Sequence, residues 1–300
     1  MKKVQVLLSS YNGEKYIREQ IDSILKQKDV VVYCLVRDDG STDDTVQILK
    51  EYKKEYPNFD YVEGENVGYK KSFQILLQMT GNYDYYAFSD QDDIWMPRKL
   101  ISAVKKISTE SSDIPILYCS NCILVNKELT EIGILHKKNI LPNSKYRALV
   151  QGFAHGCTMV MNKNSRNLML RYTPKIEYAH DYWIPILHLF LGKILYDSNA
   201  YILYRQHENN VFGGRRSFFK KIKASLNKYK VSSFYSNLIK EILSGYYDML
   251  SKNDQKLLTE TLDYKNSFYL KLKLFFNKEL RKSTIRGTLI IKLLILLSKF

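Results

Sequence analysis

Short apolar runs alternate with helical periodicities over the first hundred residues. "VQVLL" at 4–8 and "VVYCLV" at 31–36 are strand-like, and between them Ile17, Ile21, Ile24 and Leu25 recur at the spacing of one helix face. Ser41 then stands three residues ahead of Asp44 and before Val46, Ile48, Leu49 and Tyr52, which predicts a capping box with Asp in place of Glu. "FDYV" at 59–62, a helix over 69–79 and "YDYYAFS" at 83–89 complete a βαβαβαβ order. That order predicts a mostly parallel sheet with helices on both faces. After a helix over 97–107 the pattern turns more β-like, with "ILYCSNCILV" at 116–125, "HGCTMVM" at 155–161, a helix over 181–191 and "AYILYRQ" at 200–206. Beyond 215 it is helical, and Phe234, Leu238, Ile242, Tyr246 and Leu250 form one apolar stripe.

Charge divides the chain in the same place. The formal net charge is +15, yet Met1 to Gly214 holds 27 Lys and Arg against 25 Asp and Glu, whereas Arg215 to Phe300 holds 19 against 6. The basic character therefore belongs to the tail. No nucleic-acid motif accompanies it; apolar stripes interleaved with Lys and Arg favour an anionic lipid surface, with a helical appendage packed on the rest of the chain or on another subunit as the competing use. "LIIKLLILLSKF" at the end is about a dozen residues long and contains Lys292, short of the roughly 20 apolar residues of a membrane span. Cys34, Cys119, Cys122 and Cys157 are scattered and no secretory leader opens the chain, so a cytosolic setting is expected. The Cys119–Cys122 pair lies in an apolar run and is expected to be strand core rather than a metal site.

The candidate chemistry sits at the carboxyl ends of the expected strands, where ligands bind in such sheets. "SSYNG" follows the first strand, "RDDGSTDD" the second and "SDQDD" the fourth. Grouping Asp90, Asp92 and Asp93 costs electrostatic free energy unless a cation sits among them. Two carboxylates one residue apart at a strand end suit a divalent ion that also binds phosphates; a solvated acidic turn, with Asp93 as a helix cap, is the bland alternative. A second acidic loop at Asp38 and Asp39 on the same sheet edge argues for a nucleotide, which needs acceptors for its base or ribose as well as a metal for its diphosphate.

"LLSSYNGEKYIREQIDSIL", "VRDDGSTDDT", "NVGYKKSF" and "YYAFSDQDDIWMPRKL", in that order, resemble the nucleotide-sugar-binding half of the family 2 glycosyltransferases, which have the GT-A fold. The resemblance is close over the first hundred residues and extends more thinly to Gly214. "FSDQDDIW" and the later "YRQHENNVFGG" further resemble the bacterial rhamnosyltransferase subgroup that builds capsule, O-antigen and cell-wall polysaccharides. The resemblance implies a GT-A catalytic domain over 1–214, with a nucleotide-sugar half (1–107) and an acceptor half (108–214), ahead of a basic helical tail over 215–300.

It also implies roles. Ser10, Tyr11, Asn12, Asp38, Asp39 and Ser41 would surround the nucleoside, and Asn66 and Gly68 would shape the loop beneath the donor. Asp90 would support ribose or metal, Asp92 would be the principal ligand of Mg²⁺ or Mn²⁺, and His207 a further metal or diphosphate contact with Arg205 nearby. Asp181 would be the base that takes the acceptor hydroxyl's proton, against the alternative that it only caps a helix. Gly156, Trp95, His180 and Trp183 would contact acceptor or diphosphate, with a core position the alternative for Trp183. The implied reaction is metal-dependent, inverting sugar transfer from a nucleotide donor such as dTDP-rhamnose to a glycan or lipid-linked glycan at the inner face of the cell membrane. A UDP-hexose donor, nucleotidyl transfer and a non-catalytic scaffold are the competing readings; the oligomeric state stays open.

Overall fold

A computed structural model describes residues 1–206 and 233–300. His207 lies outside the described residues. The first half runs β1 (Lys3–Ser10), α1 (Ile17–Leu25), β2 (Val31–Asp38), α2 (Thr45–Glu55), β3 (Phe59–Glu63), α3 (Tyr69–Gln78) and β4 (Tyr85–Ser89), then the two-residue β5 (Ile94–Trp95) and α4 (Lys99–Ile107). The second half runs β6 (Ile116–Val125), β7 (Glu131–Ile134), α5 (Lys145–Val150), β8 (Val160–Asn162), α6 (Lys163–Leu170), α7 (His180–Leu191) and β9 (Lys193–Arg205). Four helices follow the undescribed segment: α8 (Phe234–Tyr246), α9 (Lys252–Leu262), α10 (Phe268–Phe276) and α11 (Ile285–Leu296).

Among the described residues the strands form one sheet in the order β3-β2-β1-β4-β8-β6-β9-β5, with β7 paired to β6. β1 to β4 are mutually parallel. Beyond β4 the sheet is mixed, since β8 runs antiparallel to β4 and β6 while β6 and β9 are parallel.

Side-chain alternation on β1 explains the two layers of helices. Val4, Val6 and Leu8 enter one core with Ile17, Ile21 and Ile24 of α1, Ile48 and Leu49 of α2, and Leu100 and Val104 of α4. Leu7 points the other way, into a core with Phe73 and Leu76 of α3 and Trp183 and Ile184 of α7. Cys119 and Cys122 are buried free thiols of β6, as their apolar flanks suggest.

The expected capping box at α2 does not form. Asp44 takes the N-cap position with no side-chain cap, and the Ser41 hydroxyl instead donates to Asp38 Oδ1 at 2.5 Å. The Ser41 oxygen accepts from Asn12 N at 2.8 Å, in place of a helix N–H.

The C-terminal helices share the second core with the sheet. Tyr235, Leu238, Ile239, Ile242, Tyr246 and Leu250 are buried in it, while Phe234 sits at its margin. Polar contacts reinforce the seam: Tyr246 donates to the Leu168 carbonyl at 3.1 Å, Tyr172 to Glu241 at 2.6 Å, and Lys145 pairs with Asp254 at 2.7 Å. No helix of the described residues is long and apolar enough to cross a membrane.

Removing a buried aromatic from this seam is expected to cost about 3–5 kcal/mol. Tyr246→Ala should therefore lower the urea midpoint of the whole chain; an unchanged midpoint would mean that the α8 seam adds nothing to the fold.

Candidate active site

Parallel register brings the polar loops together. Ser10 lies opposite Asp38, Leu8 opposite Ser89 and Asp38 opposite Glu63, so the first four strands end at one edge. Hydrogen bonds then stitch the loops. Gln91 accepts from Tyr11 N at 2.8 Å and donates to the Tyr11 carbonyl at 3.0 Å, clasping the first loop to the fourth. Asn12 N donates to Ser41 Oγ and Thr42 N to Asn12 Oδ1, both at 2.8 Å, joining first to second. The second loop meets the third through Asp39, which accepts from Val67 N at 3.0 Å and Gly68 N at 2.8 Å and pairs with Arg37.

Gly40 and Gly68 both have φ near +80°, a region open to glycine. A side chain at Gly40 would in addition meet the backbone of Asn66. Tyr11, 46% exposed, stands at the rim, and Asn12 turns the first loop with φ of 47°. The Ser10 hydroxyl is buried at the strand end without a hydrogen-bond partner.

The acidic cluster closes the other side. Asp90 is half-buried and its pKa is pushed up to about 7, by burial first and then by the charges of Asp92 and Asp181. Tyr69, the first residue of α3, is held up by burial and then by Asp181 and Asp90. Asp90 and Asp181 thus face each other electrostatically although 91 positions separate them in the sequence. Asp181 sits in the first turn of α7, whose N-cap is Ala179 with no side-chain cap; the carboxylate is not that helix's N-cap.

Asp93 lies deeper. One oxygen accepts from Arg205 N at 3.2 Å, and the other is buried without a partner. Its pKa is held well above the usual range by burial and then by Asp92 and Asp90. Ligating atoms of Asp90, Asp93 and Cys157 lie within 4.8 Å of one another. Asp92 is outside that group of three. A crowded carboxylate oxygen with nothing to bond, beside a second carboxylate that resists ionisation, is what a hard divalent ion would relieve. The carboxylates therefore fit such an ion. Cys157, whose thiol is held protonated by its contact with Cys122 and by burial, is a poor match for it.

The family model for "Glycosyl transferase family 2" matches residues 5–168. The chain belongs to glycosyl transferase family 2. The glycosyltransferase is 31% identical over 232 residues, covering 72% of this chain and 77% of the relative, to a dTDP-rhamnosyl transferase, RfbG, of Shigella flexneri. Among solved structures it is similar to residues 1–349 of S. aureus TarS in complex with UDP-GlcNAc, at TM-score 0.60 and 19% identity, covering 92% of this chain and 77% of that one. It is similar also to a mannosyltransferase from Pyrobaculum calidifontis in complex with GDP-Man and Mn²⁺, at TM-score 0.53 and 16% identity, covering 99% and 80%. These likenesses show the GT-A fold.

Several expected contacts of the glycosyltransferase are corrected by its geometry. Trp95 is 2% exposed; its ring lies in the core, with the Lys99 ammonium 3.5 Å from its centroid, and cannot reach an acceptor. Arg205 is equally enclosed. Its guanidinium bonds the Asp92 carbonyl at 3.0 Å, the Lys127 carbonyl at 2.8 Å and Glu19 at 2.5 Å, so it anchors the acidic loop from behind instead of touching diphosphate. The carboxylates of Asp38 and Asp39 are turned inward: Asp38 accepts from Gly40 N and Ser41 N at 3.1 and 2.8 Å, and both shape the loop rather than its open face.

His180 is a wedge and not a base. It packs 4.0 Å from the Phe73 ring and 5.0 Å from Phe88, both ring nitrogens are buried without partners, and burial pushes its pKa down to about 3. Trp183 stacks on Tyr178 at 5.4 Å and walls a cavity of about 140 Å³ between α3 and α7. Three neighbours escaped the sequence reading. Gln91 reads in the sequence only as the spacer between two aspartates. Tyr204, whose ionisation is opposed by burial and then by Cys157, Asp90, Asp93 and Asp92, and Tyr69 lie within the motifs "YRQHENNVFGG" and "NVGYKKSF" with no role of their own implied there.

Gly156 abuts the His180 imidazole so closely that an added methyl would overlap its Nε2. Gly156→Ala should displace the ring and the adjacent Asp181, lowering turnover at least about tenfold, or 1.4 kcal/mol of barrier, with donor affinity kept. The double variant Gly156→Ala/His180→Ala should recover part of the loss in steady-state kinetics. If it recovers none, the ring does not transmit the effect.

Proposed function

We propose that the chain is an inverting, metal-dependent glycosyltransferase that moves a sugar, rhamnose from dTDP-rhamnose, to a hydroxyl of a lipid-linked or growing surface glycan at the inner face of the membrane. One observation carries the reading: Asp90, just past the end of β4, lies at the sheet edge where the loops after β1, β2 and β3 converge, near enough to Asp181 to feel its charge. The 31% identity to a protein named as a dTDP-rhamnosyl transferase favours that donor.

The nucleoside would lie against Tyr11 and Asn12, above the loop that Asp38, Asp39, Ser41, Asn66 and Gly68 hold in shape. Asp90 and Asp92 would hold Mg²⁺ or Mn²⁺, with Asp93 beneath them; when bound, the ion offsets charge developing on the departing diphosphate. The Mn²⁺ bound by the Pyrobaculum mannosyltransferase supports that use. Asp181, in the first turn of α7, would accept the acceptor hydroxyl's proton as that oxygen attacks the anomeric carbon and the bond to phosphate breaks on the opposite face. Gly156 lets His180 pack behind Asp181, and Trp183 helps close the wall on that side.

Asp181→Asn is expected to keep the thermal shift given by dTDP-rhamnose with Mn²⁺ and to lose transfer by at least about 10³-fold, toward the upper range for general-base catalysis. Asp92→Asn should lose the metal-dependent part of that shift. Transfer at the parent rate by Asp181→Asn would refute the assigned base, and a larger shift with a UDP-hexose than with dTDP-rhamnose would refute the donor.

A further inference from the structure

The last two helices expose an apolar face among the described residues. In α11, Ile285, Leu289 and Leu293 repeat every four residues with Leu296 beside them, and Ile285 and Leu289 are 84% and 63% exposed. The buried residues Ile291, Leu294 and Ile295 occupy the opposite arc. α10 repeats the arrangement: Phe268, Tyr269, Leu272 and Phe276 share an exposed arc, with Phe268 at 77% and Phe276 at 71%, while Leu274 faces the core. The two helices contact each other and pack on the same core. Two adjoining helices thus each carry an exposed apolar arc, which a soluble surface seldom carries without a partner.

Charge decides what the partner is. Residues 268–300 hold eight Lys or Arg against one acidic residue, Glu279. Lys273, Lys278, Arg281, Arg286 and Lys299 are exposed there. A second copy of the chain would bring the same positive charge against itself, whereas an anionic bilayer attracts each nearby Lys or Arg by about 1 kcal/mol. At 12 residues α11 is about 18 Å long, against a hydrocarbon core of about 30 Å. It can lie in the interface but not cross it.

We propose that α10 and α11 form a monotopic membrane-docking ridge that seats Phe268, Phe276, Ile285, Leu289 and Leu293 among the acyl chains of an anionic bilayer, with the flanking Lys and Arg at the head groups. The ridge deepens the reading of a lipid-linked acceptor and rests on it for its purpose, not for its binding.

Sedimentation of the full chain with vesicles of phosphatidylglycerol and phosphatidylcholine tests it directly. Partitioning should exceed that on pure phosphatidylcholine at least tenfold, and Phe268→Glu/Phe276→Glu and Leu289→Glu/Leu293→Glu should each reduce it at least tenfold. The four side chains are exposed, so thermal midpoints and donor-induced shifts should not change. Vesicle binding untouched by both pairs, or equal on neutral vesicles, overturns the proposal. So does loss of a dimer in light scattering, caused by the same substitutions in a chain that never bound vesicles. Failure of sugar transfer with vesicle binding intact would count against the proposed reaction alone.

Discussion

Like charges gathered in a partly dry cleft are the constraint around which the molecule is arranged. Burial and then the charges of Asp92 and Asp181 raise the cost of ionising Asp90, and Asp93 beneath it has an oxygen with no partner. Such a cluster survives only because the surroundings over-determine it. Arg205 grips the backbone of the acidic loop from below, Gln91 clasps it to the first loop, and Phe88 ties its root to His180. The scaffold bears the cost of holding these carboxylates together.

Division of labour among the aspartates follows from burial. The carboxylates of Asp38 and Asp39 are engaged by backbone N–H groups, a hydroxyl and a guanidinium, all of which satisfy a carboxylate internally. They are architectural. Asp90 instead has the like charges of Asp92 and Asp181 beside it.

Much of the first half was legible because parallel strands buried on both faces leave long apolar runs; β1 and β2 match those runs to within a residue or two at each end, as does β6 in the second half. The convergence of the first, second and fourth loops followed from strand order alone. Less legible was anything set by the mixed half of the sheet. Cys157 comes beside Asp90 because β8 pairs antiparallel with β4, and Arg205 comes under Asp92 because β9 pairs with β5; neither pairing has a local signal. Trp95 reads as a ligand-facing aromatic in its motif, but the two-residue β5 turns it inward. Ser41 reads as a helix cap until Asp38 is known to face it. In the tail, periodicity gave the docked stripe from Phe234 to Leu250, while the uncovered arcs of α10 and α11 blend with buried residues in an almost wholly apolar string.

Gln91 and Gly13 illustrate how tightly the rim is interlocked. A side chain at position 13 would run into the Gln91 carboxamide, which both bonds to Tyr11 hold in place. The two positions, 78 residues apart, are thus matched like a key and its ward: a methyl at 13 pushes on the carboxamide of Gln91 and so loosens the latch between the two turns.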